Sequence, residues 1–251
     1  MRNNIDLMLQ MTNKELRARY KNTIFGFLWM VINPVMQMFV IGFIFNFFVK
    51  EPLQNYHYYL LIGLLVWNFF SLSLSKSTPS IVNERSLIKK AKFPNQTIPL
   101  SIIASNLVHL TVAFCILFIL MISTKVAVIS NLPNILLGFI LLTMFTVGIS
   151  LLTSALNVKF RDVNFFVQAI LIVWFYATPI VYSIHSIPYN MMWLWRLNPL
   201  TSIVQLFQSI LTSSPGPGIA MLGINFMLII LCDLAGIIIF AHLSKNFDDW
   251  I

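Results

Sequence analysis

Charge is what this chain has least of. Only 10% of its 251 residues are Asp, Glu, Lys or Arg, where a soluble domain carries about 25%. A water-soluble globule is excluded by that shortage, and a mean hydropathy of +0.83 agrees. The eight carboxylates and four histidines are scattered along the chain. That scatter argues against a hydrolase and against a His-based metal centre. No H-E-x-x-H and no nucleophile elbow is present, and none of the nine glycines is followed by lysine. A phosphate loop of the G-x-x-x-x-G-K kind is therefore absent. The two cysteines, Cys115 and Cys232, both lie inside apolar runs. They read as small core residues rather than as a disulfide or a metal pair.

What the chain has instead is apolar length. A bilayer core about 30 Å thick needs about 20 apolar residues as helix. Six segments qualify: Ile24–Val49, Tyr58–Ser75, Ile98–Ser123, Ile135–Leu156, Phe165–Tyr182 and Ile219–Leu243. The second is the most polar, because Ser71, Ser73, Ser75 and Lys76 close it. The first 22 residues are mixed polar and charged, unlike a cleavable signal peptide.

The net charge of +8 does not mark nucleic-acid binding, because the cations sit between apolar runs rather than on one face. Sorted by loop, 13 of the 16 basic residues fall in the N-terminal segment, the second and fourth loops and the tail, against 3 in the others. The positive-inside rule then predicts a cytoplasmic N-terminus, and an even number of spans returns the C-terminus to the same side.

Three stretches are not simple spans. Residues 5–21 read as an amphipathic interface helix, with Ile5, Met8, Leu9, Thr12, Leu16 and Tyr20 on one side and Asp6, Gln10, Asn13, Lys14, Arg17 and Lys21 on the other. Such a helix is either a plain anchor or a lever for a cytoplasmic partner. Residues 81–96 form a basic loop with Ile81, Val82, Leu87, Ile88 and Phe93, bounded by Pro79 and Pro94. Its apolar side chains fit a partner's groove or pack on the chain's own spans. Residues 184–218 carry Pro188, Pro199, Pro215 and Pro217 around two apolar segments too short to span, Tyr189–Leu197 and Leu200–Leu211. Short helices of that kind read as re-entrant, forming a lid or an interfacial anchor.

Inside the spans, Asp233 and His109 are ionisable and so are candidates for function as well as for structure. Asn33–Pro34 predicts a kink in the first span. Gly26, Gly138, Gly148 and Gly236 read as close-packing positions.

Several segments taken together resemble one family. The stretch Leu16-Arg17-Ala18-Arg19-Tyr20-Lys21, then Gly26-Phe27-Leu28-Trp29 and Asn33-Pro34, resembles the opening of ABC-2-type polysaccharide and polyol-phosphate export permeases. So do Gly63-Leu64-Leu65-Val66-Trp67-Asn68-Phe69-Phe70, Leu87-Ile88-Lys89-Lys90 and Phe93-Pro94 with Pro99-Leu100. The series continues through Asn157-Val158-Lys159-Phe160-Arg161-Asp162-Val163, Thr178-Pro179-Ile180-Val181-Tyr182 and Asn198-Pro199-Leu200. These run in family order over nearly the whole chain. The tail, residues 246–251, matches no family motif.

The resemblance implies an all-α integral membrane fold: one ABC-2 exporter domain over residues 1–251, with six transmembrane helices, an interface helix, a cytoplasmic coupling helix and external gate helices. It implies a homodimer working with two copies of a cognate ATPase, which would hold the ATP and magnesium. Six helices are too few to enclose a wide path, which fits pairing. Val82–Lys92 would be the coupling helix, with Val82, Glu84, Arg85, Leu87, Ile88, Lys89 and Lys90 at the ATPase. Leu16, Arg17, Arg19 and Tyr20 would belong to the interface helix beside it, and Arg161 and Asp162 to the fourth-loop motif. Tyr182, Trp193, Asn198 and Pro199 would belong to the gate region. Trp29, Trp67, Phe69, Trp174, Phe175 and Tyr176 could line a path along which sugar rings slide, or could be ordinary core and lipid-facing aromatics.

The substrate implied is a lipid-linked polysaccharide, of O-antigen or capsule type, crossing a bacterial cytoplasmic membrane. Teichoic acid export and ABC-2 drug or lipid efflux are alternatives within the class. A membrane glycosyl- or acyltransferase would need clustered acids or histidines, and an ion-coupled transporter would have only Asp233 and His109 as proton carriers and shows no inverted repeat.

Overall fold

The computed structural model describes residues 2–21, 26–48, 56–90, 93–121, 131–212 and 216–250. Every regular element among them is helical. In chain order they are α1 (Arg2–Tyr20), α2 (Trp29–Phe48), α3 (Tyr56–Ser77), α4 (Ser80–Asn83), α5 (Arg85–Lys90), α6 (Thr97–Met121) and α7 (Leu132–Lys159). There follow α8 (Asp162–Tyr176), α9 (Met192–Arg196), α10 (Pro199–Thr212), α11 (Ile219–Leu243) and α12 (Phe247–Trp250).

Among the described residues, four helical stretches are long and apolar enough to cross a bilayer: Tyr56–Ser77, Thr97–Ile119, Leu132–Lys159 and Ile219–Asn246. Two other apolar helices are shorter, Val31–Phe45 within α2 and Asp162–Tyr176. The expected first span begins in residues outside the description. Its described part enters through a short 3₁₀ turn at Gly26–Leu28, where Gly26 takes φ +47, a conformation L side chains rarely adopt. Pro34 lies inside α2 and withdraws one backbone donor from its ladder.

The expected fifth span, Phe165–Tyr182, ends early. Helix α8 stops at Tyr176, and residues 177–182 form a turn and bends. Pro179 pushes Thr178 away from helical backbone, and the Thr178 hydroxyl donates back to the Trp174 carbonyl at 2.9 Å. At about 1.5 Å per residue, the 15 residues of α8 reach about 22 Å, short of the roughly 30 Å hydrocarbon core.

Two cores hold the bundle. The larger gathers α3, α6, α7 and α10, with Phe70, Phe114, Phe145 and Phe207 fully enclosed. The smaller lies at the end where α1, α4 and α5 meet α7 and α11, around Met11, Ile81, Ile88, Ile98, Leu151, Val158, Phe240 and Phe247. The tail without a family motif is therefore seated: Phe247 packs at right angles on Phe240 with ring centres 5.6 Å apart.

Helix α11 crosses α7 most closely at two glycines. A Cβ on Gly236 would overlap the Gly148 carbonyl, and one on Gly148 would come 2.8 Å from the Asp233 backbone. Small residues at such a crossing let backbones touch, the main source of helix association in lipid. Asp233 thus sits at the α7–α11 crossing. Of the two cysteines, Cys115 faces outward rather than into the core, and Cys232 is half-buried.

Candidate translocation groove

A groove of 870 Å³ runs on one side of the bundle, lined from α2, α3, α6, α8 and the last turn of α1. Its residues sort by position along the helices. Arg19, Asn33, Ser71, Ser75, Asn106, His109 and Gln168 occupy the end near α1. Leu65, Trp67, Phe69, Phe175 and Tyr176 lie further along, and Trp29 flanks the α1 end.

The polar end is cross-linked between helices. Arg19 reaches from α1 into the bundle, donating to Asn106 Oδ1 at 2.7 Å and to His109 Nδ1. A guanidinium can only donate, so Nδ1 of His109 is the acceptor. Asn106 Nδ2 in turn donates to Ser73 Oγ at 2.9 Å. Gln168 of α8 donates to Ser75 of α3 at 3.0 Å, and further along, between Trp67 and Phe69, Asn68 of α3 donates to Gln37 of α2 at 3.1 Å. Of these groups Ser73, Asn106 and His109 are buried and find their partners on neighbouring helices, as buried polar groups require.

The aromatic end is a stepped wall. Trp67 and Phe175 meet edge to face at 5.5 Å, and Phe175 and Tyr176 at 5.1 Å. Five of the six aromatics expected along a path, Trp29, Trp67, Phe69, Phe175 and Tyr176, line the groove. Trp174 does not. It turns inward onto Phe70 at 5.2 Å and Phe145 at 5.9 Å, and its indole N–H donates to Asn198 at 3.0 Å.

That bond explains Asn198. Its Oδ1 accepts from Trp174 and from the Leu200 N–H at 3.1 Å, while its amide donates to the Ala177 carbonyl at 3.2 Å and to Thr178 Oγ1 at 3.0 Å. One side chain thus ties the end of α8 to the start of α10, where Pro199 is buried in the first turn. Tyr182 donates to the Tyr176 carbonyl at 2.7 Å and accepts from Trp195 at 2.8 Å. Trp193 is exposed on α9.

The two short helices behave differently. Helix α9 buries no residue, whereas every residue of α10 from Thr201 to Gln208 is buried among α3, α7 and α11. The second apolar segment is therefore a core element and not a surface lid.

In the expected coupling segment, the single expected helix is two, α4 and α5, parted at Glu84. Residues 91 and 92 of the expected coupling segment lie outside the described residues. Glu84 accepts from Lys14 of α1 at 2.6 Å, which joins the interface helix to the loop. A second groove of 380 Å³ runs along that junction between Leu7, Gln10, Met11, Ser86, Leu87 and Lys90.

Ile88 is buried in the chain's own smaller core, with Val82, Leu87 and Phe93 packed against it. Arg85, Lys89 and Lys90 are exposed. On α1 the inward residues are Met11 and Thr12, while Ile5 and Leu9 face out. Leu16 is half-buried, Arg17 is exposed and bonds Asn13 at 3.2 Å, and the Tyr20 side chain lies outside the described residues. Arg161 and Asp162 are exposed at the turn into α8, where Asp162 stands in the first turn and suits its N-terminal dipole.

The residues that sequence reasoning passed over are the neutral polar ones: Gln37, Asn68, Asn106 and Gln168. Their signal was available, since each is an amide inside an otherwise apolar helix.

Comparison with known proteins agrees with this architecture. Residues 6–212 match the family described as ABC-2 type transporter. An O-antigen export system permease protein RfbA of Klebsiella pneumoniae is 34% identical over 203 residues, covering 79% of this chain and 77% of the relative. One from Myxococcus xanthus is 28% identical over 206 residues, covering 81% and 79%. The polysialic acid transport protein KpsM of Escherichia coli is 23% identical over 197 residues, covering 77% and 76%.

Proposed function

The chain belongs to the ABC-2 type transporter family, and on that premise we propose that it is the membrane subunit of an ATP-driven exporter of a lipid-linked polysaccharide, of O-antigen or capsule type. The observation that carries this reading is the groove, lined by both aromatic and neutral polar side chains along its length. Aromatic faces let sugar rings pass without holding any one of them, which suits a long polymer better than a pocket does.

The export reading has six membrane-crossing segments, with α8 and the buried α10 together making one crossing and α9 at the outer surface as the gate. Both termini are cytoplasmic in the bacterial inner membrane, as the loop charges dictate. Two copies face each other and join their grooves into one path. Two copies of a separate ATPase, holding ATP and magnesium, dock beneath. The exposed Arg85, Lys89 and Lys90 and the groove between α1 and α5 present the docking face, and Ile88 supports it from inside. One ABC-2 exporter domain over residues 1–251 serves all of these roles.

The test is reconstitution of the chain with its ATPase in vesicles supplied with lipid-linked glycan. ATP-dependent movement of the glycan across the bilayer is expected. Movement of small apolar drugs with no movement of glycan would replace this reading with efflux. In the same assay Leu87→Asp should leave the chain inserted and uncouple ATP hydrolysis from export. Normal export by that variant would sink the docking assignment.

A further inference from the structure

We propose that Asn198 is the positioning residue for the aromatic wall of the groove: it holds Trp174 inward and thereby fixes which face of α8 the groove receives. This deepens the export reading and rests on it for what the wall does.

Helix α8 is thinly packed. Of its 15 residues only Val167 and Leu171 are buried, while Phe165, Phe166, Ile172 and Val173 are 65–71% exposed. Lipid tails solvate such a face as well as other apolar side chains do. Burial therefore does little to choose the roll of α8, and specific bonds must set it. Gln168 bonds Ser75 at 3.0 Å, but at an exposed position where water can replace either partner. Successive residues of a helix stand about 100° apart. A roll that carried Trp174 into the groove would put Phe175 where Tyr176 stands and turn Tyr176 out of it.

Asn198 stands at a firmly packed element. It precedes α10, whose residues 201–208 are buried, and its Oδ1 accepts from the Leu200 N–H at 3.1 Å as a helix cap does. From that fixed point the side chain reaches α8. Its Oδ1 also accepts from Trp174 Nε1 at 3.0 Å, and its Nδ2 donates to the Ala177 carbonyl and to Thr178 Oγ1. Thr178 Oγ1 donates in turn to the Trp174 carbonyl at 2.9 Å, which closes a ring of three residues.

Backbone carbonyls point along the helix axis, so the bond to Ala177 fixes where α8 ends. The Trp174 bond runs sideways and fixes its roll. Trp174 packs on Phe70 and Phe145 in the larger core. An indole N–H turned into that core needs an acceptor, and without one the ring is better placed in the groove. Asn198 supplies the acceptor.

The experiment uses the full chain with its ATPase in vesicles, carrying Cys115→Ala, Cys232→Ala and the reporter Tyr176→Cys. Reaction with a charged thiol reagent measures how much of the protein keeps position 176 in the groove. Asn198→Ser keeps the cap, because serine caps about as well as asparagine, but it is too short to reach Trp174. It should slow labelling about tenfold. With Tyr176 restored, it should lower glycan export per ATP hydrolysed several-fold. Trp174→Phe should label as the parent does, because it fills the same core without an N–H. Combined with Asn198→Ser it should restore both labelling and export, a rescue that a residue serving only as a cap would not show.

Unchanged labelling in Asn198→Ser, or no rescue by Trp174→Phe, overturns the proposal. So does unchanged export by a variant whose labelling has fallen. Should Asn198→Ser fail to fold, Asn198→Thr keeps the same cap and is read in the same way. Labelling that falls and is rescued in a protein that moves no glycan would count against the export reading and not against the hold of Asn198 on α8.

Discussion

Helices α3 and α11 are both long enough to span, yet they are built on opposite terms. Helix α3 is the less apolar of the two, and 67% of its spanning window is buried. Helix α11 is among the most apolar stretches, and only 22% of its window is buried. In a water-soluble protein the ranking would be reversed. Lipid removes the hydrophobic drive for apolar helices to hide from solvent, so association depends on packing and on interhelical hydrogen bonds. Helix α3 supplies both, through Phe70 and through Ser73, Asn68 and the Tyr59 carbonyl, which bond α6, α2 and α10. Helix α11 packs along α7 through a single stripe of Asn225, Ile229, Gly236 and Phe240, with Asn225 donating to Ser202 of α10, and turns Met227, Ile237 and Ile238 outward. Polarity, not apolarity, marks the helices at the centre.

The comparison can be broken at either helix. The largest effect should come from Phe70→Ala, which empties the space between Phe145 and Trp174 in the main core. A loss of about 3–5 kcal/mol is expected, read as a large fall in the thermal midpoint of the detergent-solubilised protein. A midpoint unchanged by this variant would remove α3 from the centre.

Gly236→Leu comes next, because its side chain must displace the Gly148 carbonyl. Overpacking of this kind costs about 1–3 kcal/mol, measurable in the same assay, and a neutral result would dissolve the α7–α11 crossing. Gln208→Leu removes the bond to the Tyr59 carbonyl at 3.2 Å and should cost about 1 kcal/mol. A gain in stability there would show that apolar packing outweighs polar cross-linking. The smallest effect belongs to Ile238→Ala on the outward face of α11, within about 0.5 kcal/mol. A large loss at Ile238 would reveal a protein partner where the comparison places lipid.

The sequence made some parts legible and hid others for definite reasons. Apolar length exposed α3, α6, α7 and α11, and Pro34 lies inside α2. The end of α8 was misread because apolar composition continues through Ile180, Val181 and Tyr182 while the backbone turns at Thr178-Pro179. A window average sees composition and not the clash before a proline.

The groove was half legible. Its aromatics stood out as types, but Trp174 and Phe175 are adjacent in sequence and point to different places. Only the rotation of α8 against α3 decides which of them meets the groove. Arg19 was placed only as a residue of the interface helix, because the partner that draws it inward, His109, lies 90 residues away.

By itself the sequence determined that this is a membrane protein, where its longest spans run, which loops carry the cations and to which family it belongs. The first three follow from transfer energies and charge counts, which are local and additive along the chain, and the family follows from motifs that stand in order along it. Tertiary structure alone decided that α10 is core and not lid, that Ile88 supports its own chain, and that the α1 arginine enters the groove. Each of those depends on which face of one helix meets which face of another. That choice is made by shape and hydrogen-bond partners between residues far apart in sequence, and no local pattern records it.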